Sequence, residues 1–273
     1  MLSNVTFGQY YPVSSPVHKM DARVKLLLTV LYIVTIFVIQ TYSGYIATFL
    51  VFLFTVILAR IPLKTVLKSV KAVLFLILFT TVLNLFLYKG KYTESWSWWI
   101  FTITDGGISF AVQMALRLAF LVMGTSLLTF TTTPVELTDG IESLLRPLKV
   151  VKFPVHDVAV IMSITLRFIP ILMEETDKII MAQSSRGADF SSGGLIKRAK
   201  ALLPVLIPLF VSAFRRADEL SFAMDSRCYN ATDKRTRYKK MKIGFRDIIG
   251  SIIGLSLLAF IIVDGSVLKL IVL

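Results

Sequence analysis

The sequence is poor in the residues that most soluble enzymes use for chemistry. Its single cysteine, Cys228, excludes an intrachain disulfide and a cysteine-based metal cluster. No segment matches the GxxxxGK[ST] pattern, so the chain has no P-loop in which to hold ATP phosphates. The only histidines, His18 and His156, lie far apart beside apolar segments. Interfacial histidines are therefore a simpler interpretation than a metal or catalytic pair.

Charged residues are also scarce. Only 17% of the 273 residues are charged, whereas 55% are hydrophobic, and the mean hydropathy is +0.74. Soluble domains are about 45–50% apolar and about one quarter charged. The apolar excess must face something other than water, which indicates a membrane protein in contact with the lipid bilayer.

The charges that remain are mostly basic, and the formal net charge is +13. The basic residues flank apolar runs, as in cytoplasmic loops, and are not interleaved with aromatic residues as on a base-stacking surface. We therefore expect no nucleic-acid partner.

Five apolar runs approach or reach the roughly 17–25 residues that a membrane-spanning helix needs. They are residues 24–40, 45–59, 70–88, 108–130 and 248–263, and Lys25 at the start of the first is expected to extend toward water. The loop after the second run and the start of the third run together carry four basic residues and no acid, which predicts a cytoplasmic loop. They are Arg60, Lys64, Lys68 and Lys71. The loop at 89–107 contains Trp96, Trp98 and Trp99, as expected of an external aromatic belt. The amino terminus is therefore predicted to be cytoplasmic.

The region that follows the fourth run is predicted to open with a short helix, which Thr133 caps and in which Pro134 occupies the first turn. Two long helices are predicted after it, at about 156–186 and 195–227. Their apolar cores are short, and the first contains Arg167, which is costly at the centre of a bilayer. Both are therefore expected to be amphipathic helices at the cytoplasmic interface. Pro170, Pro204 and Pro208 are expected to bend or break them.

The ends of these two helices resemble each other, about forty residues apart. Each has a small residue, an arginine and a second small residue. Aligned on the arginines, the matching pairs are Asp177 with Asp218, Ala182 with Ala223, Ser185 with Ser226, and Arg186 with Arg227. An arginine between small neighbours can enter a partner's groove and bind carboxylates or carbonyls. Simple capping of the helix end is the alternative.

These motifs resemble a known family. The segments 184–190 and 216–229, together with the opening run Asp21-Ala22-Arg23-Val24-Lys25, are similar to the transmembrane T component of energy-coupling factor transporters, the cobalt-transport permease-like group. The family commonly has Ala before the arginine and Gly after it, and here Ser185, Ser226 and Cys228 differ.

The resemblance implies a subunit without enzymatic activity or a cofactor of its own in a prokaryotic inner membrane. Two ABC-type ATPases would bind ATP, and a membrane-embedded substrate-binding S component would take up vitamins or metal ions. The residues implied for ATPase docking are Arg186, Arg227, Ser185, Gly187, Ser226 and Cys228. The residues implied for the face toward the S component are Ile161, Ile164, Phe168, Leu172, Ile179, Met181 and Met224.

The predicted fold is an all-α membrane protein with about five transmembrane helices and two long coupling helices. We divide the chain into a four-span bundle at 1–130, a coupling-helix region at 131–245 and a last span at 246–273. A stand-alone channel or secondary carrier is the alternative, because Gln113 and Arg117 are polar residues inside a span. Glu174 and Glu175 could form a metal-assisted hydrolase pair, but they lack convincing histidine partners.

Overall fold

The computed structural model describes residues 10–87, 94–98, 101–147, 154–188, 190, 194–229 and 244–272. Its helices are α1 Ala22–Val38, α2 Tyr42–Ala59, α3 Leu63–Leu87, α4 Asp105–Thr131, α5 Pro134–Leu145, α6 Val155–Ser185, α7 Leu195–Ser226 and α8 Phe245–Val272. Two short strands, β1 Glu94–Trp98 and β2 Phe101–Thr104, pair antiparallel between α3 and α4. The protein is thus an all-α membrane protein apart from this hairpin, which falls where a simple loop was predicted.

Four helices in the described part of the chain are long and apolar enough to cross a membrane. They are Tyr42–Ala59, Leu63–Leu85, Gly106–Thr131 and Phe245–Ser266. Helix α1, which corresponds to the first predicted span, has 17 residues and lies at the lower limit for spanning. Neither α6 nor α7 is among the four, and their interfacial character stays a prediction.

The chain forms two compact units. One contains residues 8–147 and 241–273, and the other contains residues 1–7 and 148–240. In the first, α1 packs against α4, α5 and α8. Its buried Ile36 and its C-cap residue Ile39 join Phe120 of α4 and Ile261 of α8. Helix α5 therefore belongs to the same compact unit as the membrane bundle, whereas the division made from the sequence places it with the coupling helices.

Glycines allow α1 to approach its neighbours closely. A Cβ on Gly124 of α4 would lie 2.0 Å from the Tyr32 ring, and one on Gly254 of α8 would lie 2.8 Å from Leu28. The Tyr32 hydroxyl also donates to the Phe120 carbonyl at 3.1 Å. Small residues at helix contacts are typical of membrane bundles, in which close packing replaces the hydrophobic effect.

The opening run Asp21–Lys25 fastens the start of α1. Asp21 caps the helix and pairs with Arg23, while its own N–H donates to the carboxylate of Asp247 in α8 at 2.9 Å. Lys25 is only 5% exposed, and its ammonium donates to the carbonyls of His18 and Thr131. The position of Lys25 at the start of the span predicts a side chain that extends toward water. This prediction is wrong, because the carbonyls of His18 and Thr131 bind the ammonium inside the bundle.

Helix α5 begins as its sequence predicts. Thr133 accepts the N–H of Glu136 while the Glu136 carboxylate accepts the N–H of Thr133, and Pro134 occupies the first turn. This capping box satisfies donors that the helix itself leaves without partners.

The second unit contains α6 and α7, which pack against each other. Pro170 lies inside α6, and Pro204 and Pro208 lie inside α7, yet each helix continues through its prolines. The predicted breaks are therefore absent from these described helices.

Candidate functional site

The carboxyl end of α6 closes with backbone hydrogen bonds. Arg186 is the C-cap residue and Gly187 follows in the left-handed region with φ +89°. The Gly187 N–H donates to the Ser184 carbonyl at 3.0 Å, and the Ala188 N–H donates to the Gln183 carbonyl at 3.0 Å. This pair of bonds is a Schellman motif, for which glycine is the favoured left-handed residue.

The carboxyl end of α7 has the same geometry. Arg227 is the C-cap residue, and Cys228 follows with φ +53°. The Cys228 N–H donates to the backbone carbonyl of Asp225 at 2.9 Å, and the Tyr229 N–H donates to the backbone carbonyl of Met224 at 2.9 Å. The similarity of the two sequences therefore extends to the backbone, although a cysteine occupies the position of the glycine.

These closures leave the arginine side chains on the surface. Backbone N–H groups satisfy carbonyls of the last turn at both ends, and Arg186 and Arg227 are exposed. The hydroxyls of Ser185 and Ser226 fold back onto carbonyls of their own helices, at 3.1 and 3.0 Å. Each end therefore presents a guanidinium between short side chains, which is the arrangement that a narrow partner groove can accept.

An ion pair joins the two helices farther from these ends. Arg216 of α7 donates to one carboxylate oxygen of Glu175 in α6 from Nε at 3.2 Å and from Nη2 at 2.9 Å. Ser212 donates to the other oxygen at 2.5 Å. The hydrogen bond from Ser212 and the Arg216 guanidinium hold the pKa of the Glu175 carboxyl below its ordinary value.

An apolar groove of about 370 Å³ lies between α6 and α7. Four residues of the predicted partner face line it, namely Ile164, Phe168, Leu172 and Met224. Ile161 and Met181 are exposed, at 61% and 62% of their surface, and Ile179 is half-buried. The predicted face is thus divided between the seam of the two helices and their outer surface.

The hydrolase hypothesis pairs Glu175 with Glu174 and does not anticipate this ion pair. In the structure the Glu175 carboxylate binds Arg216 and Ser212. No cluster of three or more potential metal ligands occurs in the described residues. A signal existed, because Glu175 and Arg216 occupy matching positions when the two helices are aligned on their terminal arginines.

The polar residues of the fourth predicted span serve contacts within the bundle. The Arg117 guanidinium donates to the Ile39 carbonyl at the end of α1 at 3.1 Å and lies 5.9 Å from the Phe37 ring. The backbone carbonyl of Gln113 accepts the Tyr45 hydroxyl at 3.3 Å, so this contact does not use the polar Gln113 side chain. Arg117 thus ties α4 to the end of α1.

His18 also has a structural role. One ring nitrogen lies 2.7 Å from the Ser15 hydroxyl and the other lies 3.0 Å from the Tyr11 carbonyl. Burial lowers the pKa of the His18 imidazole below its ordinary value. The side chain of His156 lies outside the described residues.

Comparison with known proteins gives a consistent result over most of the chain. Residues 13–238 match the model of a protein family that is described as cobalt transport protein. A protein of Ruminiclostridium cellulolyticum named energy-coupling factor transporter transmembrane protein EcfT is 52% identical over 249 residues, covering 91% of this chain and 92% of the relative. Proteins of the same name from Clostridium kluyveri and Bacillus subtilis are 46% and 42% identical, covering 97% and 95% of this chain and 98% of each relative.

Proposed function

The chain belongs to the cobalt transport protein family, and from this premise we propose that it couples two ABC-type ATPases to a membrane-embedded substrate-binding component. Its relatives carry the name of the transmembrane protein of energy-coupling factor transporters. The proposed role is mechanical: α6 and α7 transmit the movement of the ATPases, which bind and hydrolyse ATP. This chain contributes no catalytic residue and no cofactor.

The matched ends of α6 and α7 carry this proposal. Two exposed arginines, Arg186 and Arg227, are the C-cap residues of two helices that pack together and end in the same Schellman motif. Two equivalent ends suit two equivalent partners, so each ATPase would receive one arginine in a groove. Ser185 and Gly187 at one end, and Ser226 and Cys228 at the other, would allow close approach.

The guanidinium is suited to such a contact because its charge does not depend on pH. It presents five N–H donors in a plane and can bind a carboxylate through two of them. Because the backbone closes the helix ends, docking need not compete with capping.

The substrate-binding component would contact the apolar surface of the two helices. Ile161 and Met181 are the most exposed of the predicted residues and would form direct contacts, together with Ile179. Ile164, Phe168, Leu172 and Met224 line the groove between the helices and would change their exposure when α6 and α7 move. We propose uptake of a vitamin or a metal ion, selected by the partner component.

The basic residues support one orientation of the chain in the membrane. We propose the inner membrane of a prokaryote with the amino terminus in the cytoplasm, so that both arginine ends face the ATPases. The distribution of lysine and arginine in the loops supports this orientation.

Co-purification tests the docking role. The full chain would be expressed with the ABC ATPases and substrate-binding component of its own genome and purified in detergent as Arg186→Glu, Arg227→Glu and wild type. Matched controls are Arg167→Glu in α6 and Arg215→Glu in α7, which are also exposed but lie away from the helix ends.

We expect the wild type and both controls to retain the ATPases, and each terminal charge reversal to release an ATPase or uncouple ATP hydrolysis from uptake. If the chain alone moves solute into vesicles and retains no ATPase, the channel or carrier interpretation replaces this proposal.

A further inference from the structure

A second groove lies in the bundle unit and is unrelated to the docking ends. Its volume is about 310 Å³, and it is formed by α1, α2, α4, α8 and the segment that precedes α1. This volume reaches the range of roughly 300–1,000 Å³ found for sites that bind small molecules. The wall is mostly apolar and includes Tyr32, Thr55, Leu128 and Gly254.

The groove opens beside residues that face outward from the bundle. Phe54 and Ile249, both lining residues, are 52% and 42% exposed. They belong to α2 and α8, two of the helices that can span a membrane. The apolar wall is therefore accessible from the hydrocarbon part of the bilayer.

Two cationic side chains line the same groove. Arg246 is exposed at the start of α8, and Lys25 is buried near the start of α1. An ammonium has three N–H donors, and two of those of Lys25 bind the carbonyls of His18 and Thr131. No aspartate or glutamate is among the described lining residues. Asp247, which follows Arg246, accepts the N–H groups of Asp21 and Gly244.

The cations lie at one end of the bundle. Arg246 and Lys25 belong to the first turns of α8 and α1, and the lining residues Leu58 and Thr131 belong to the last turns of α2 and α4. A groove with an apolar length and a basic end matches a phospholipid, whose acyl chain is apolar and whose phosphate is anionic. Basic pockets between membrane helices bind anionic lipid headgroups in this way.

We propose that this groove is a binding site for one anionic phospholipid. An acyl chain lies along α1 and α8, and the headgroup phosphate binds Arg246 with support from the charge of Lys25. The proposal does not depend on the docking role of Arg186 and Arg227, because it concerns the bundle unit alone.

Native mass spectrometry of the full chain tests the site. The protein would be incubated with equal amounts of phosphatidylglycerol and phosphatidylcholine of identical acyl chains, and the retained lipid of each class would be counted. Arg246→Gln removes the headgroup cation, and Thr55→Phe fills the apolar wall.

Two other variants are matched controls. Arg60→Gln removes another exposed arginine, at the end of α2, that does not line the groove. Thr80→Phe changes a threonine of α3 that, like Thr55, donates to carbonyls of its own helix but lies outside the groove. All variants must elute as single peaks in size-exclusion chromatography, and Leu128→Phe replaces Thr55→Phe if the latter does not.

In the wild type we expect a preference for phosphatidylglycerol of about fivefold, since a basic residue near a lipid surface contributes about that factor. Arg246→Gln should lose the preference, the groove-filling variant should retain less of both lipids, and both controls should match the wild type. Equal retention of the two lipids by the wild type would overturn the proposal. Unchanged retention in Arg246→Gln and the groove-filling variant would overturn it as well.

Discussion

Glu175 and Arg216 occupy equivalent positions in α6 and α7. Each lies eleven residues before the arginine that ends its helix, Arg186 or Arg227, and the two side chains bind each other. Eleven residues correspond to about three helical turns, so each member of the ion pair lies on nearly the same face as its terminal arginine. The helices are thus joined at matching points of two similar sequences.

Neutralising this ion pair should loosen the two helix ends. In a Cys228→Ser background, nitroxide labels at Ser184→Cys and Asp225→Cys would report the distance between the ends by double electron–electron resonance. Glu175→Gln should broaden the distance distribution, because a partly exposed pair contributes on the order of 1 kcal/mol. The charge exchange Glu175→Arg with Arg216→Glu should narrow it again, and Glu174→Gln should have no effect. An unchanged distribution in Glu175→Gln would refute the joining role.

The same labels should reveal a dependence on pH. The pKa of Glu175 is lowered in the fold, so the carboxylate contributes stability above the pKa of an unfolded glutamate, and this contribution disappears as the pH falls through the folded value. We expect a constant distance distribution from pH 7 to 5 and broadening below about pH 4. The variant Glu175→Gln should show no such transition with pH. If the transition persists in this variant, a group other than Glu175 causes it.

The caps of α6 and α7 should differ in stability. Cys228 has a left-handed backbone, which costs a residue with a Cβ roughly 1–2 kcal/mol, whereas Gly187 accepts it readily. Cys228→Gly should therefore slow hydrogen exchange of the Tyr229 amide by about fivefold. Gly187→Ala should accelerate exchange of the Ala188 amide, since a Cβ there meets open space and only the backbone is strained. Equal exchange before and after both substitutions would contradict this explanation.

Replacing Lys25 should destabilise the bundle. Lys25→Met leaves the carbonyls of His18 and Thr131 without this donor, at a cost of about 2 kcal/mol. We expect the purified Lys25→Met variant to have a lower thermal midpoint of unfolding than the wild type. The control Lys19→Met changes an exposed lysine and should leave the midpoint unchanged. Equal midpoints of Lys25→Met and the wild type would contradict this prediction, because water would then bind the two carbonyls in place of the ammonium.

Local sequence signals predicted much of the fold. The start of α5 followed from Thr133 and Pro134, because a cap depends on residues within one turn. The ends of α6 and α7 followed from their repeated small-arginine-small pattern. The membrane helices followed from apolar length, which is a property of single segments.

Contacts between distant segments could not be read in this way. The environment of Lys25 depends on Thr131, which is 106 residues away. The bond between Asp21 and Asp247 spans 226 residues. The prolines of α7 are expected to bend or break it because propensity is local, and the helix continues through them without a break. The docking role of the two arginines stays a prediction, since it concerns partner surfaces.

The equal spacing of Glu175 and Arg216 from the helix ends has a mechanical meaning. With a rise of about 1.5 Å per residue, each arginine lies about 16 Å from the pair. A rotation of about 10° around that point would carry each tip about 3 Å, and the two tips would travel equal distances. The ion pair would then be the common pivot of two arms of equal length, so that the two partners proposed for these ends would move through equal distances.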